Sequence, residues 1–137
     1  MNGRSFLDTN ALVYIDDHSA GEKQARAARL FEDLRRARTG VISTQVLQEY
    51  FSAVTRKLGV RAEVARRKVV LFSRLDLVQI DLPPILSAID LHRLHQFSIW
   101  DALIVRAALL ANCRVLYSED LQTGRKIDGL EIVNPFQ

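Results

Sequence analysis

A single cysteine, Cys113, excludes an intrachain disulfide, and its apolar setting reads as that of a small buried hydrophobe. Long hydrophobic runs are missing as well. No segment approaches the roughly 20 uninterrupted apolar residues of a membrane span. The N-terminus is polar and then charged, without the apolar core of a signal peptide, so the expected compartment is the cytoplasm. Internal repeats, low-complexity tracts and linkers are lacking too. Residues 1–137 are therefore expected to form one domain, large enough to bury about two-thirds of its unfolded surface. Lysine is scarce, four residues against fifteen arginines at a net charge of +3. That mild basicity suits a polyanionic partner, because arginine grips phosphate in a bidentate fork. The arginines are spread along the chain, however, and solvated helix faces account for them equally well.

What is present is alternation. Ser5-Phe6-Leu7 reads as a short strand, Asp8-Thr9-Asn10 as a helix start, and Ala11 to Ile15 as buried helix. Gly21 to Arg38 carries Ala27, Leu30, Phe31 and Leu34 at helical spacing, and Gly40 to Ser43 looks like a second strand. Thr44 is placed to cap a helix with the stripe Leu47, Phe51, Val54 and Leu58, ended by Gly59. A helix over Ala62 to Leu75, a third strand over Leu77 to Ile80 and a helix opened by Pro83 and Pro84 follow. Ser98 to Asn112 is the most apolar helix. Arg114 to Tyr117 and Leu130 to Val133 make the fourth and fifth strands. Strands joined through helices predict an α/β protein, with a mostly parallel sheet of about five strands covered on both faces in an α/β/α sandwich.

Four acids stand out, and each has a purely structural explanation. Asp8 ends a strand and starts a helix, as a cap or as half of a cation site. Asp101 sits at capping-box spacing from Ser98, yet begins a helix whose next charge is Arg106, where a desolvated carboxylate needs a cation or donors. Asp120 repeats the geometry of Asp8, with Glu119 beside it as the rival for the inward position. Glu49 falls about 200° around its helix from Leu47, on the side of Gln45, Ser52 and Arg56, facing either solvent or a cleft. Gathered carboxylates repel one another unless a hard cation with oxygen ligands, such as Mg²⁺ or Mn²⁺, joins them. An acidic pocket in an arginine-rich chain is what a metal-dependent nuclease needs.

In order and spacing, Phe6-Leu7-Asp8-Thr9-Asn10, Gln48-Glu49, Ile99 to Ile104 and Leu116 to Leu121 resemble the motifs of PIN-domain proteins. The whole chain is similar to the VapC-type ribonuclease toxins of prokaryotic toxin–antitoxin pairs. The resemblance implies a sheet of about five parallel strands with the acids at one edge. It also implies a Mg²⁺- or Mn²⁺-dependent endoribonuclease, a homodimer, and a small antitoxin that inserts near the cleft. By position Asp8, Glu49, Asp101 and Asp120 match the acidic quartet that holds the metal, and Thr9, Asn10 and Ser118 match the polar residues beside it.

Two rivals remain. A phosphoryl-transfer or phosphoacceptor domain also places Asp and Mg²⁺ at strand ends, but Asn10 stands where a dehalogenase-type phosphatase wants its second Asp. A receiver domain is offered only Asp81, which reads more simply as a turn residue. The other rival is an RNA-binding PIN scaffold without catalysis. His92 and His95, three apart, read as surface residues rather than ligands, and Trp100 as core packing or a dimer contact rather than a base-stacking platform. Arg66-Arg67-Lys68 and Arg35, Arg36 and Arg38 are candidates for tracking an RNA backbone or an acidic antitoxin tail.

Overall fold

A computed structural model describes residues 3–137; Met1 and Asn2, part of the polar start read above, lie outside them. The elements are β1 (Arg4–Leu7), α1 (Thr9–Ile15), α2 (Glu22–Ala37), β2 (Gly40–Ser43), α3 (Thr44–Lys57) and α4 (Ala62–Phe72). They continue with β3 (Asp76–Val78), α5 (Leu82–His95), α6 (Ile99–Leu110), β4 (Cys113–Tyr117), β5 (Lys126–Ile127) and β6 (Leu130–Val133). Among the described residues, no helix is long and apolar enough to cross a membrane.

The sheet runs β3-β2-β1-β4-β6-β5, parallel throughout except for β5, which is antiparallel to β6. From β1 the chain steps outward to β2 and β3, then returns to lay β4 on the other side of β1. Right-handed crossovers place α1 to α4 on one face and α5 and α6 on the other. The packing agrees: α1 lies on α2 and α3, α3 on α4, and α5 on α6. Central strands covered on both faces need continuous rather than alternating apolar sequence. Accordingly every residue of β2, and Ser5, Phe6 and Leu7 of β1, is buried. Gly40 lets β2 start close against its neighbours: a Cβ there would sit 3.1 Å from Leu34 Cβ and 3.2 Å from a Leu75 methyl, so both would have to give by a few tenths of an ångström.

Several expectations need correction. Among the described residues the sheet has six strands, because Lys126–Ile127 forms a hairpin with β6 across Asp128 and Gly129, both at positive φ. Asp-Gly is the sequence signal for such a two-residue turn. Ser43, the last residue of β2, caps α3 by accepting a hydrogen bond from Val46 N (3.4 Å). Thr44 is instead the first helical residue, and its hydroxyl accepts from Ile80 N (3.2 Å). That diversion of Ile80 from the ladder stops β3 at Val78 rather than Ile80. Helix α4 ends at Phe72, and Leu75 packs under Gly40 in a turn instead of continuing the helix. The buried face of α3 is Val46, Leu47, Tyr50 and Val54, whereas Phe51 is 36% exposed. Tyr50 packs edge-on against Phe72 (5.0 Å), which in turn meets Phe31 (5.3 Å). Its hydroxyl donates to Asp16, which Lys68 also holds at 3.1 Å. Cys113 is buried, as expected. Trp100 is 63% exposed, which removes the core-packing reading.

Candidate active site

The reversal in strand order falls between β1 and β4. Diverging connections leave a crevice at the carboxyl ends of these two strands, where open α/β sheets bind their ligands. Asp8 follows β1 and Ser118 to Asp120 follow β4, so the topology brings together segments more than a hundred residues apart. Tyr117 O accepts from Asp8 N (3.0 Å), which locks the two strand ends in register. Helix α3 starts at the same edge from Ser43 and offers Glu49 from its second turn. The first turn of α6 brings in Asp101.

All four acids line one pocket of about 250 Å³, together with Thr9, Asn10, Gln45 and Trp100. Asp8 is 8% exposed. It caps α1 through Thr9 N (2.7 Å) and accepts from Ser118 Oγ (2.8 Å). Burial raises its pKa to about 6 despite those two bonds, and the negative charges of Asp120 and Glu49 add to the rise. The carboxylate that caps α1 also lines the pocket, so the two placements offered by the sequence are compatible. Glu49 accepts from Thr9 Oγ1 (2.5 Å) and Gln45 Nε2 (3.1 Å), so it faces the cleft rather than open solvent. Asp120 accepts from Asn10 Nδ2 (2.9 Å); burial, then Glu119 and Asp101, push its carboxyl above the ordinary value. The hydroxyl of Ser118 also accepts from Asp120 N and Leu121 N, both at 3.2 Å, which folds the loop after β4 around it. Ser98 caps α6 by accepting from Asp101 N (3.0 Å), so Asp101 uses its backbone for the cap and leaves its carboxylate to the pocket.

Glu119 points the other way. It accepts from Lys23 Nζ (2.6 Å) and from the Tyr14 hydroxyl. Burial works against its charge, yet these two donors hold it below the usual carboxylate range. Gln45 was not singled out from sequence. Its amide ties Glu49 to the Trp100 carbonyl (3.1 Å), and its spacing of four residues from Glu49 on one helix was the available signal. Asp81 lies at the N-cap position of α5, away from the pocket. His92 donates to or accepts from nothing in the pocket; its ring meets the Phe97 carbonyl.

The donor set is all oxygen. Among the described residues none of the four acids forms an ion pair with lysine, arginine or histidine, whereas six ion pairs occur elsewhere. Gln45 Oε1 is buried without a partner. Carboxylates without basic partners suit a hard divalent cation with its waters. Among the described residues no three His, Cys, Asp or Glu side chains form a finished metal cage. Asp8, Glu49 and Asp120 each accept a hydrogen bond from a neutral side chain instead.

This strand order, with an acid-lined pocket at its reversal, defines an open α/β protein whose site lies at the carboxyl edge of the sheet. Within that class the chain belongs to the PIN domain family, whose model matches residues 5–128. No curated protein matches it. Among solved structures the fold is similar to Mycobacterium tuberculosis VapC20, a sarcin–ricin loop cleaving toxin, at 20% identity and a TM-score of 0.69 over 85% of this chain and 89% of that one. It is also similar to a chain of a Klebsiella pneumoniae toxin–antitoxin complex (18% identity, TM-score 0.71, 96% and 97% covered). A third similar chain belongs to Rickettsia felis VapBC2, bound to a DNA fragment from its promoter (24%, 0.66, 93% and 96%).

Proposed function

We propose that the chain is a divalent-metal-dependent endoribonuclease, the VapC-type toxin of a toxin–antitoxin pair, working in the cytoplasm as a single PIN domain. The observation that carries this reading is that Asp8, Glu49, Asp101 and Asp120, from four separate segments, line one pocket, with no basic side chain among the described residues paired to them. Membership of the PIN family supports it, as does the likeness in fold to a sarcin–ricin loop cleaving toxin. The neighbouring complexes support an antitoxin as partner. Exposed Leu82, Leu86, Ile89 and Leu94 on α5, with Trp100, support a homodimer.

In this reading Asp8, Asp101 and Asp120 hold Mg²⁺ or Mn²⁺ directly or through water. When bound, the ion supplies Lewis acidity at the phosphate and a more acidic water. Glu49 completes the site or orients the attacking water, its two oxygens fixed by Thr9 and Gln45. Asn10 and Ser118 hold Asp120 and Asp8 toward the pocket. The attacking water would form one P–O bond in line as the bond to the departing ribose oxygen breaks, its proton lost to solvent and the departing oxygen protonated from it.

The test is cleavage of bacterial RNA by purified protein. Cleavage is expected to stop with EDTA, to return with Mg²⁺ or Mn²⁺, and to be lost in Asp101→Asn. Survival through both treatments overturns the mechanism. The unfinished cage gives the scaffold reading its one supporting observation. On that reading, wild type and Asp8→Asn arrest growth of a bacterial host equally; on ours only wild type does.

A further inference from the structure

Beyond Glu49 the cleft does not end. A groove of about 420 Å³ continues from it along α3, sharing Glu49 and Ala53 with the acid pocket and passing Ser52 to reach Arg56 and Lys57. These residues follow one another at three- and four-residue steps, so they form a single helix face. Arg56 stands two turns from Glu49, roughly 10 Å along the axis. Both cations are exposed, and among the described residues neither takes part in an ion pair. Lys57 also lies near enough to Asp120 for its charge to favour the ionised carboxylate.

We infer that Arg56 and Lys57 form a phosphate-binding subsite, which holds the RNA backbone beside the cleaved bond and feeds it along α3 into the acid pocket. A strand of negative charge cannot be drawn by carboxylates alone. Two unpaired cations on the connecting groove reverse the field where a flanking phosphate enters. Arginine's fork and lysine's point charge are both suited to phosphate oxygens. Their place in the last turn of α3 also favours the helix dipole, but that role needs no groove and no access to the pocket.

The inference rests on the nuclease reading, and binding without metal separates the two. A short fluorescein-labelled single-stranded oligoribonucleotide is titrated in EDTA with wild type, Arg56→Gln/Lys57→Gln, and the equally charged control Arg74→Gln/Arg114→Gln at two exposed positions. Each phosphate contact contributes about 0.7 to the log–log salt slope on a single strand. The double variant on α3 is expected to lower the slope by about 1.4 and the control to leave it unchanged. Cleavage in Mg²⁺ should show a raised KM with kcat retained. An unchanged slope overturns the subsite, as does an equal loss in the control. Intact RNA binding with loss of an acidic protein partner instead overturns it too. If cleavage proves insensitive to Asp8→Asn while these binding results hold, the nuclease reading fails and the subsite stands.

Discussion

The two edges of the sheet carry acids under opposite rules. At the amino end Asp76 pairs with Arg4 at 2.5 Å, and Glu32, nearby on α2, pairs with Arg35 and Arg36. The Arg35 partnership lowers Glu32 to about 2. At the carboxyl end Asp8, Glu49, Asp101 and Asp120 have no such partners among the described residues, and Asp8 is pushed up to about 6. The larger cavity, about 580 Å³ and lined by Arg35, Arg38 and Arg74, is at the amino end; the acid pocket is less than half that size. Cavity size and unpaired acidic charge therefore favour opposite edges. The informative property is charge left unneutralised at partly buried positions, because it opposes stability and needs another reason to be there.

The largest expected contrast between the edges is in cleavage. Asp8→Asn is expected to lower the RNA cleavage rate by about 10³-fold, several kcal/mol of lost metal-assisted stabilisation. Asp76→Asn should leave the rate unchanged, and, as half of an exposed pair, should change stability by less than about 1 kcal/mol. Equal effects of the two substitutions on a single-turnover time course would erase the distinction.

A smaller effect concerns stability and its sign with pH. In the unfolded chain Asp8 titrates near 3.9, and folding raises it to about 6. Between these values the unfolded state has lost the proton that the folded state keeps, so stability falls as pH rises through this window. Above about pH 6 the penalty is fully present. Asparagine also caps helices. Asp8→Asn is therefore expected to stabilise the metal-free protein by on the order of 2 kcal/mol near neutral pH, with little gain near pH 4. Urea unfolding at the two pH values measures this. Divalent ions should narrow the gap by stabilising wild type alone.

The smallest expected effect is on positioning. Lys23 and Tyr14 hold Glu119 out of the pocket, and Asp120 is its chain neighbour. Lys23→Met frees one of those anchors and is expected to reduce cleavage about tenfold, as losses of orienting partners do. Mn²⁺ titration of the variant should shift to higher concentration. A variant with wild-type rate and metal dependence would show that the clamp on Glu119 is only structural.

Much of this was legible in the chain. The strand and helix alternation, the Gly59 stop, the Ser98 cap and the preference for Asp120 over Glu119 all rest on local rules that tertiary structure respected. Misreadings arose where a side chain had two uses. Thr44 looked like a cap but spends its hydroxyl on Ile80 N, leaving Ser43 to cap. Phe51 looked like core because of its spacing, while Tyr50 could be buried only because Asp16 accepts its hydroxyl proton, a partner 34 residues away. Asp128-Gly129 is a local hairpin signal that was there to be read.

By itself the sequence determined the fold class, since the order of apolar runs and turns leaves a parallel sheet between helices as the way to bury them. It also determined which carboxylates fall at strand ends and helix starts. Only the tertiary structure decided that Glu49 faces the cleft, that Glu119 is turned aside by Lys23 and Tyr14, and that Arg56 and Lys57 border the same groove. The reason is range: propensity and periodicity act over a few residues, whereas a site made of charges depends on which distant groups the sheet order brings within hydrogen-bonding reach.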